Sequence, residues 1–456
     1  MQKHYFKDGL IGAGWASDIC MHVGAGGLIT KLETGVKAPS GAPTHATVLP
    51  AMPNLHSHAF QRAFAGLAEF RTPGESDFWS WRNAMYHFAA HMTPEAVEVI
   101  ASALYIEMLK AGYSAVGEFH YLHNSHVDQA LAMSDAIITA AKQTGIALTH
   151  LPVLYQTSDF GSVPANKSQA PFLHADGEYD RLLKILAPRL KGPHRLGLCF
   201  HSLRAVPEDA FDAAIGTMNE LDDTAPIHIH VAEQMREVEA CVKATGKRPV
   251  EWLLNNQPVD ERWCLIHATH VTEDEWRGVA ERGAVVGLCP ATEANLGDGI
   301  FPAAGFSAVG GRFGIGSDSH ISIDPREELR LLEYGQRLSR HARTVLTASG
   351  GGHTGEFLWS QATKGGAQAL GQPIGEIAVG RRADLIVLDR TSPTFAASTL
   401  SQMLDAFVFV GQPNPISDVM VAGEWVVKAG RHAKEEHVFA RYNDLVGRIA
   451  AKMEDA

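Results

Sequence analysis

Only five cysteines occur in 456 residues (Cys20, Cys199, Cys241, Cys264 and Cys289), and none stands in a Cys-x-x-Cys pair. That scarcity speaks against a disulfide framework and against a cysteine zinc knuckle, and predicts a reducing, cytoplasmic location. No run approaches the roughly 18 apolar residues needed to cross a bilayer. The first residues, Met1 to Asp8, have no apolar leader stretch, so no membrane partner is expected. Positive charge is also short: 39 Lys and Arg against 51 Asp and Glu leave a formal net charge of −12. A nucleic-acid partner is therefore not expected. A small acidic substrate stays compatible, because a local arginine cluster can act against the global field.

What is present is an ordinary globular composition, 45% hydrophobic and 20% charged, enough for a large core. Up to about Leu49 the chain has short apolar stretches broken by glycine and proline, such as Gly26–Leu32 and Ala46–Leu49, which read as strands and turns. From Pro50 to Leu370 apolar strands alternate with amphipathic helices. The strands expected are Ala115–Phe119, Ala147–Leu154, Leu196–Phe200, Ile227–Val231, Cys264–His267, Ala284–Leu288 and Phe313–Gly316. Helices are expected at Ala96–Ala111, Asp128–Thr144, Glu178–Leu186, Glu208–Leu221, Glu237–Thr245 and Glu273–Arg282. Repeated β-then-α units over this length predict an α/β fold of the (β/α)8 TIM-like barrel type. A doubly wound open sheet is the alternative that the pattern leaves open. Strand character returns after Leu370, notably at Leu385–Leu388 and Val419–Val427. The expected division is residues 1–49 and 371–456 pairing into one small β domain, the latter ending in a helix from about His432, around a barrel at 50–370.

Chemistry-bearing residues gather at the ends of the expected strands. Pro53-Asn-Leu-His56-Ser-His58 places two histidines at i and i+2, on one face of a strand, where two imidazoles reach one metal. A hydrogen-bonded pair at a strand end is the plainer reading of that motif alone. Three further strand ends add to it: Ile227-His228-Ile229-His230, Cys264-Leu-Ile-His267 and Gly314-Ile-Gly-Ser-Asp318. In an α/β barrel the carboxyl ends of the strands converge on one pocket, and histidine and aspartate suit a catalytic zinc. His228 and His230 share a face and compete as ligands. His120, His123 and His126 stand at spacing three, but His120 follows a strand, so this group reads as a loop. His270 and His320 read as structural. Glu293, Asn295 and Asp298 read ordinarily as turn and cap residues, with a supporting role left open by their position at the pocket mouth, while Glu107 and Glu118 have no assigned part.

This pattern resembles the amidohydrolase superfamily, and within it the formimidoylglutamate deiminase family of bacterial histidine degradation. The resemblance runs through nearly the whole chain. It is most specific in PNLHSHAFQRAFAGLAE from Pro53, LYIEMLKAGYSAVGEFHY from Leu104, GLCFHSLRAV from Gly197 and TEANLGDGIFPA from Thr292. It implies a β-sandwich built from both termini, carrying Gly380-Arg-Arg-Ala-Asp384 as the lead into its returning strand. It implies zinc ligation by His56, His58, His230 and Asp318, the spacing His230-Val-Ala-Glu233 favouring His230 over His228. No lysine ends the expected fourth strand, where binuclear members place a metal bridge, so one zinc per chain is implied; iron or manganese could occupy the same ligands. Glu233, His267 and Asp318 are implied to be catalytic. Substrate contacts are implied for Gln61, Arg82, Tyr121, His201 and Arg204.

The activity implied is hydrolytic deimination of N-formimidoyl-L-glutamate, a small dicarboxylate, by a homodimeric enzyme. Guanidinium forks at Arg82 and Arg204 suit two carboxylates, although an arginine beside Phe78-Trp-Ser-Trp81 is more commonly a surface side chain stacked on a ring. The alternatives are another deaminase of the superfamily acting on a heterocyclic amine, and a barrel kept as a non-catalytic scaffold.

Overall fold

The computed structural model describes residues 2–12, 14–67, 69, 78–123, 126–174, 177–410 and 413–454. Eight parallel strands follow one another in chain order around a nearly closed barrel. They are β1 (Met52–Ser57), β2 (Tyr113–His120), β3 (Ala147–Leu154), β4 (Leu198–Phe200), β5 (Ile227–Val231), β6 (Trp263–His267), β7 (Val285–Leu288) and β8 (Arg312–Ile315). The strand order never reverses, which is what separates a barrel from the open doubly wound sheet. Buried apolar side chains such as Leu55, Val116, Leu151, Ile229, Leu265 and Val286 line these strands.

Closure runs between the ends of β8 and β1. The Asp318 amide donates to the His56 carbonyl at 3.0 Å, and the His58 amide donates to the Asp318 carbonyl at 3.2 Å. Gly316 permits that approach: a Cβ there would lie 2.7 Å from the His56 Cβ and 2.8 Å from its nitrogen. Closing the barrel thus presses the aspartate strand end against the histidine pair. The fourth expected strand is two short ones, His194–Leu196 and Leu198–Phe200. They part at Gly197, where a Cβ would meet Leu151 at 2.5 Å.

Helices return the chain between strands and cap as their sequences dictate. Pro94–Ala111 opens with the Thr93 side chain accepting the Ala96 amide and with Pro94 in its first turn; it stops at Gly112, whose φ of 102° suits glycine.

Strands from the two chain ends meet in a separate eight-stranded sheet. Leu385–Leu388 pairs antiparallel with Thr44–Pro50, which pairs in turn with Gln2–Ile11, so the returning segment joins the opening one directly. Before that strand, the Arg382 guanidinium donates to both oxygens of buried Asp384, at 2.7 Å each, and Asp384 also accepts the Ala422 amide. Phe6, Ile19, Met21, Val48, Leu385 and Met420 form its apolar core. The last helix, Glu435–Glu454, lies against Pro94–Ala111 through Val438, Ala103 and Ile106. No helix among the described residues is long and apolar enough to cross a membrane.

Candidate active site

His56, His58, His230, His267 and Asp318 all stand at or just beyond the carboxyl ends of their strands, and the barrel brings them together. The Nε2 atoms of His56 and His230 are 3.0 Å apart. Asp318 Oδ1 lies 3.3 Å from His58 Nε2 and 3.6 Å from His56 Nε2. Two backbone carbonyls set the tautomers: His58 donates Nδ1–H to Phe119 at 2.9 Å, and His230 donates Nδ1–H to His201 at 3.0 Å. A carbonyl only accepts, so both rings turn a bare Nε2 toward the same point. Burial, and then the neighbouring imidazoles, hold His56 and His230 well below the usual histidine range. Burial also lowers His58, against the opposing pull of Asp318. His56, His58 and His230 form one metal-capable group, and His56, His267 and Asp318 form a second that shares His56; imidazole and carboxylate are the donor types that catalytic zinc sites use. These residues fit a divalent cation.

His228, the competing candidate, points elsewhere: its Nε2 donates to the Ala369 carbonyl at 2.7 Å. His320 is tied to the serines Ser317 and Ser57, at 2.9 and 3.2 Å. His120 and His123 have ring centroids 5.7 Å apart, and His126 is the N-cap of the helix Val127–Thr144. None of the three belongs to a metal-capable group among the described residues.

Beside the cation point stand Glu233 and His267. His267 Nε2 is 3.7 Å from Asp318 Oδ2 and 3.7 Å from Glu233 Oε1. Burial opposes charge on His267, but the carboxylates of Glu233, Asp318 and Glu293 outweigh it and raise the imidazole to about 10. Burial pushes Glu233 up to about 7, with Asp318, Glu237 and Glu293 adding to it against His267. A carboxyl that gains and loses its proton near neutrality suits a proton shuttle. The backbone is strained here, with φ of 53° at Ala232, 67° at His267 and 47° at Asp318. Each such residue costs about 1–3 kcal/mol, and clustering of this kind is a mark of functional sites.

A cavity opens above this cluster, and His201, Gln61, Arg82, Tyr121 and Arg204 all line it. Gln61 donates to the Tyr121 hydroxyl at 2.7 Å. Arg204 donates to the Tyr155 hydroxyl at 3.2 Å and the Ser158 carbonyl at 3.1 Å. The Arg82 guanidinium lies over the Tyr86 ring, 5.3 Å from its centre. Burial, helped by the nearby Arg204 charge, lowers the pKa of Arg82, whereas at Arg204 burial is outweighed by Tyr155 and Tyr86, which raise it. A larger groove lies near the opposite strand ends, beside Arg195, Arg262 and Arg312, and no histidine is among its described lining.

Tyr86, Ser202, Gln234, Glu237 and Thr292 also line the cavity, and Tyr155 holds Arg204 from behind; sequence reasoning passed over them. Tyr155 directly follows β3 and Ser202 stands two residues beyond β4, so the strand-end rule that singled out the histidines applied equally to them. Glu118, left without a part, supports the turn after His58: it accepts Ser57 Oγ–H at 2.6 Å, the Ala59 amide at 2.7 Å and the Tyr105 hydroxyl at 3.1 Å. Glu107 pairs with Arg62 at 2.9 Å.

Comparison with known proteins agrees with this geometry. Residues 47–426 match the amidohydrolase family. The formimidoylglutamate deiminase of Pseudomonas aeruginosa is 48% identical over 455 residues, 98% of this chain and 100% of that one. The crystal structure of an amidohydrolase from Brucella melitensis superposes with a TM-score of 0.91 at 43% identity, covering 99% of this chain and 100% of that one. An adenosine deaminase from Xanthomonas campestris with bound zinc shares the fold at a TM-score of 0.82, 22% identical, covering 99% of this chain and 98% of its own. On the family match and the full-length relative together, the chain belongs to the amidohydrolase family.

Proposed function

We propose that this protein hydrolyses N-formimidoyl-L-glutamate to N-formyl-L-glutamate and ammonia, with a single divalent ion, zinc, held by His56, His58, His230 and Asp318. One juxtaposition carries the reading: two guanidinium groups, Arg82 and Arg204, share a cavity with the histidine–aspartate cluster. A substrate with two carboxylates gives both arginines a partner, whereas a heterocyclic amine gives them none. The 48% identical relative is named for the same reaction.

When bound, the ion would supply Lewis-acid activation, bringing the pKa of water from 15.7 toward about 7. The chain itself supplies position and protons. Arg82, Arg204 and the Tyr121 hydroxyl hold the carboxylates, with Gln61 orienting Tyr121 and His201 forming the wall between them and the cluster. This fixes the formimidoyl carbon at the histidine end of the cavity. Asp318 takes the proton of the attacking water, and His267 Nε2 holds the incoming oxygen. Attack makes a tetrahedral carbon bearing one new oxygen and two nitrogens. Amide ion is too poor a leaving group, so the terminal nitrogen must be protonated before its bond to carbon breaks. Glu233 carries that proton, a step that typically contributes about 10²–10⁴-fold. The glutamate nitrogen stays on carbon and becomes the formamide nitrogen.

The test is ammonia release by purified protein from formimidoylglutamate and, in parallel, from adenosine and 8-oxoguanine, with metal content measured on the same sample. Turnover of formimidoylglutamate alone is the expected result. Turnover of a purine amine with formimidoylglutamate untouched overturns the reading.

A further inference from the structure

His267 has two faces, and the reaction uses only one. Nε2 looks into the site, while Nδ1 looks away and lies 3.3 Å from Glu293 Oε1. A carboxylate only accepts, so this contact places the proton on Nδ1. We propose that Glu293 is a positioning residue for the hydrolytic step: its carboxylate, accepting Nδ1–H, fixes the ring plane of His267, so that Nε2 addresses the attacking oxygen. The inference rests on the deimination reading and deepens it.

Glu293 is built to hold such a position. It sits in the short helix Pro290–Leu296 that follows β7, buried, with its amide donating to the Cys289 carbonyl at 2.8 Å. Its Oε1, the atom facing His267, also accepts the Cys289 amide at 2.9 Å. The carboxylate is thus fixed from its own side of the barrel before it meets the imidazole. His267 needs that anchor, because its backbone φ of 67° is strained and its Nε2 faces Glu233 and Asp318, groups the reaction uses. A site histidine held in orientation by a third group, on the nitrogen that faces away from the chemistry, is a general arrangement in hydrolases. The plainer reading makes Glu293 a cap for the Cys289 amide alone. Capping does not require a buried carboxylate turned on a site histidine, and the two readings separate by experiment.

The experiment is a double-mutant cycle on the metal-loaded full chain with Glu293→Gln, His267→Asn and the pair. Glutamine keeps an oxygen for the Cys289 amide and loses the charge. In the His267 background, Glu293→Gln is expected to lower kcat roughly 10- to 100-fold, the usual cost of disturbing the partner of a site histidine, because an uncharged amide holds Nδ1–H more weakly and can turn its NH2 to the ring. KM stays within about threefold and metal content stays unchanged. In the His267→Asn background the same change moves kcat by less than about twofold, because there is no longer an imidazole to orient. An unchanged kcat in Glu293→Gln, an equal loss in both backgrounds, or a loss that follows metal content overturns the proposal and leaves Glu293 a structural cap. Wild-type inactivity on formimidoylglutamate refutes the substrate reading instead, and the cycle is then run on whichever amine releases ammonia.

Discussion

Replacing Arg204 by alanine removes a half-buried guanidinium held by the Tyr155 hydroxyl and the Ser158 carbonyl at 3.2 and 3.1 Å. Those bonds occupy one of its nitrogens and leave the rest of the fork for a substrate carboxylate. Loss of one partner of a buried charge pair costs about 2–5 kcal/mol. At about 1.4 kcal/mol per decade, kcat/KM for formimidoylglutamate falls roughly 30- to 4000-fold. Arg204→Lys keeps the charge without the planar fork and lands at the mild end of that range. The assay is steady-state ammonia release, run beside a formimidoyl amine that has no carboxylate. On that control the Arg204→Ala ratio stays near one, because the arginine had nothing to bind. Near-normal kcat/KM in a folded Arg204→Ala protein, or an equal loss on both substrates, refutes the assignment of Arg204 to carboxylate recognition.

Removing the cation with a chelator abolishes activity and lowers the thermal midpoint, and zinc restores both; at free ion 1000-fold above Kd, binding contributes about 4 kcal/mol of stability. Full activity in metal-free protein rules the cation out. Glu233→Gln keeps the shape and loses the shuttle, so kcat drops about 10²–10⁴-fold in ammonia release, and a loss under threefold assigns the proton elsewhere. Gly316→Ala puts a Cβ 2.7 Å from the His56 Cβ and 2.8 Å from its nitrogen, which costs about 1–3 kcal/mol in denaturant titration and lowers metal content; wild-type values on both counts contradict the closure described. Burial pushes Glu118 up to about 7 in the folded protein, against hydrogen bonds from Ser57, Ala59 and Tyr105, from an ordinary value of 4.5. A raised carboxyl contributes stability that is full below the unfolded value and is lost as pH rises through the folded one. Unfolding free energy of the wild type should therefore fall more steeply between pH 4.5 and 7 than that of Glu118→Gln, by up to about 1.4 kcal/mol per pH unit. Parallel urea-midpoint curves for the two proteins refute this.

Legibility in the sequence follows from how far each residue's partner lies along the chain. The barrel was readable because apolar runs such as Ala147–Leu154 and amphipathic helices such as Glu178–Leu186 announce themselves within one window. His56 and His58 were readable for the same reason, two residues apart on one face. His228 and His230 present the same local pattern, and they part only because the Ala369 carbonyl, 141 residues away, takes the His228 ring. The break at Gly197 depends on Leu151 and Pro226 crowding that position, which no local pattern reveals. Glu118 was opaque on the same ground, and Glu293 was legible only as a residue at the pocket mouth, since their partners Ser57 and His267 stand 61 and 26 residues off. The strand-end rule finds side chains that face the cavity, because period two and the barrel's polarity dictate them. It does not find the carboxylates behind them, whose place depends on which two loops the closed barrel sets side by side. Those carboxylates hold His267 and the turn after His58 in place, so in this site the layer that aims the chemistry is legible only once the barrel has closed.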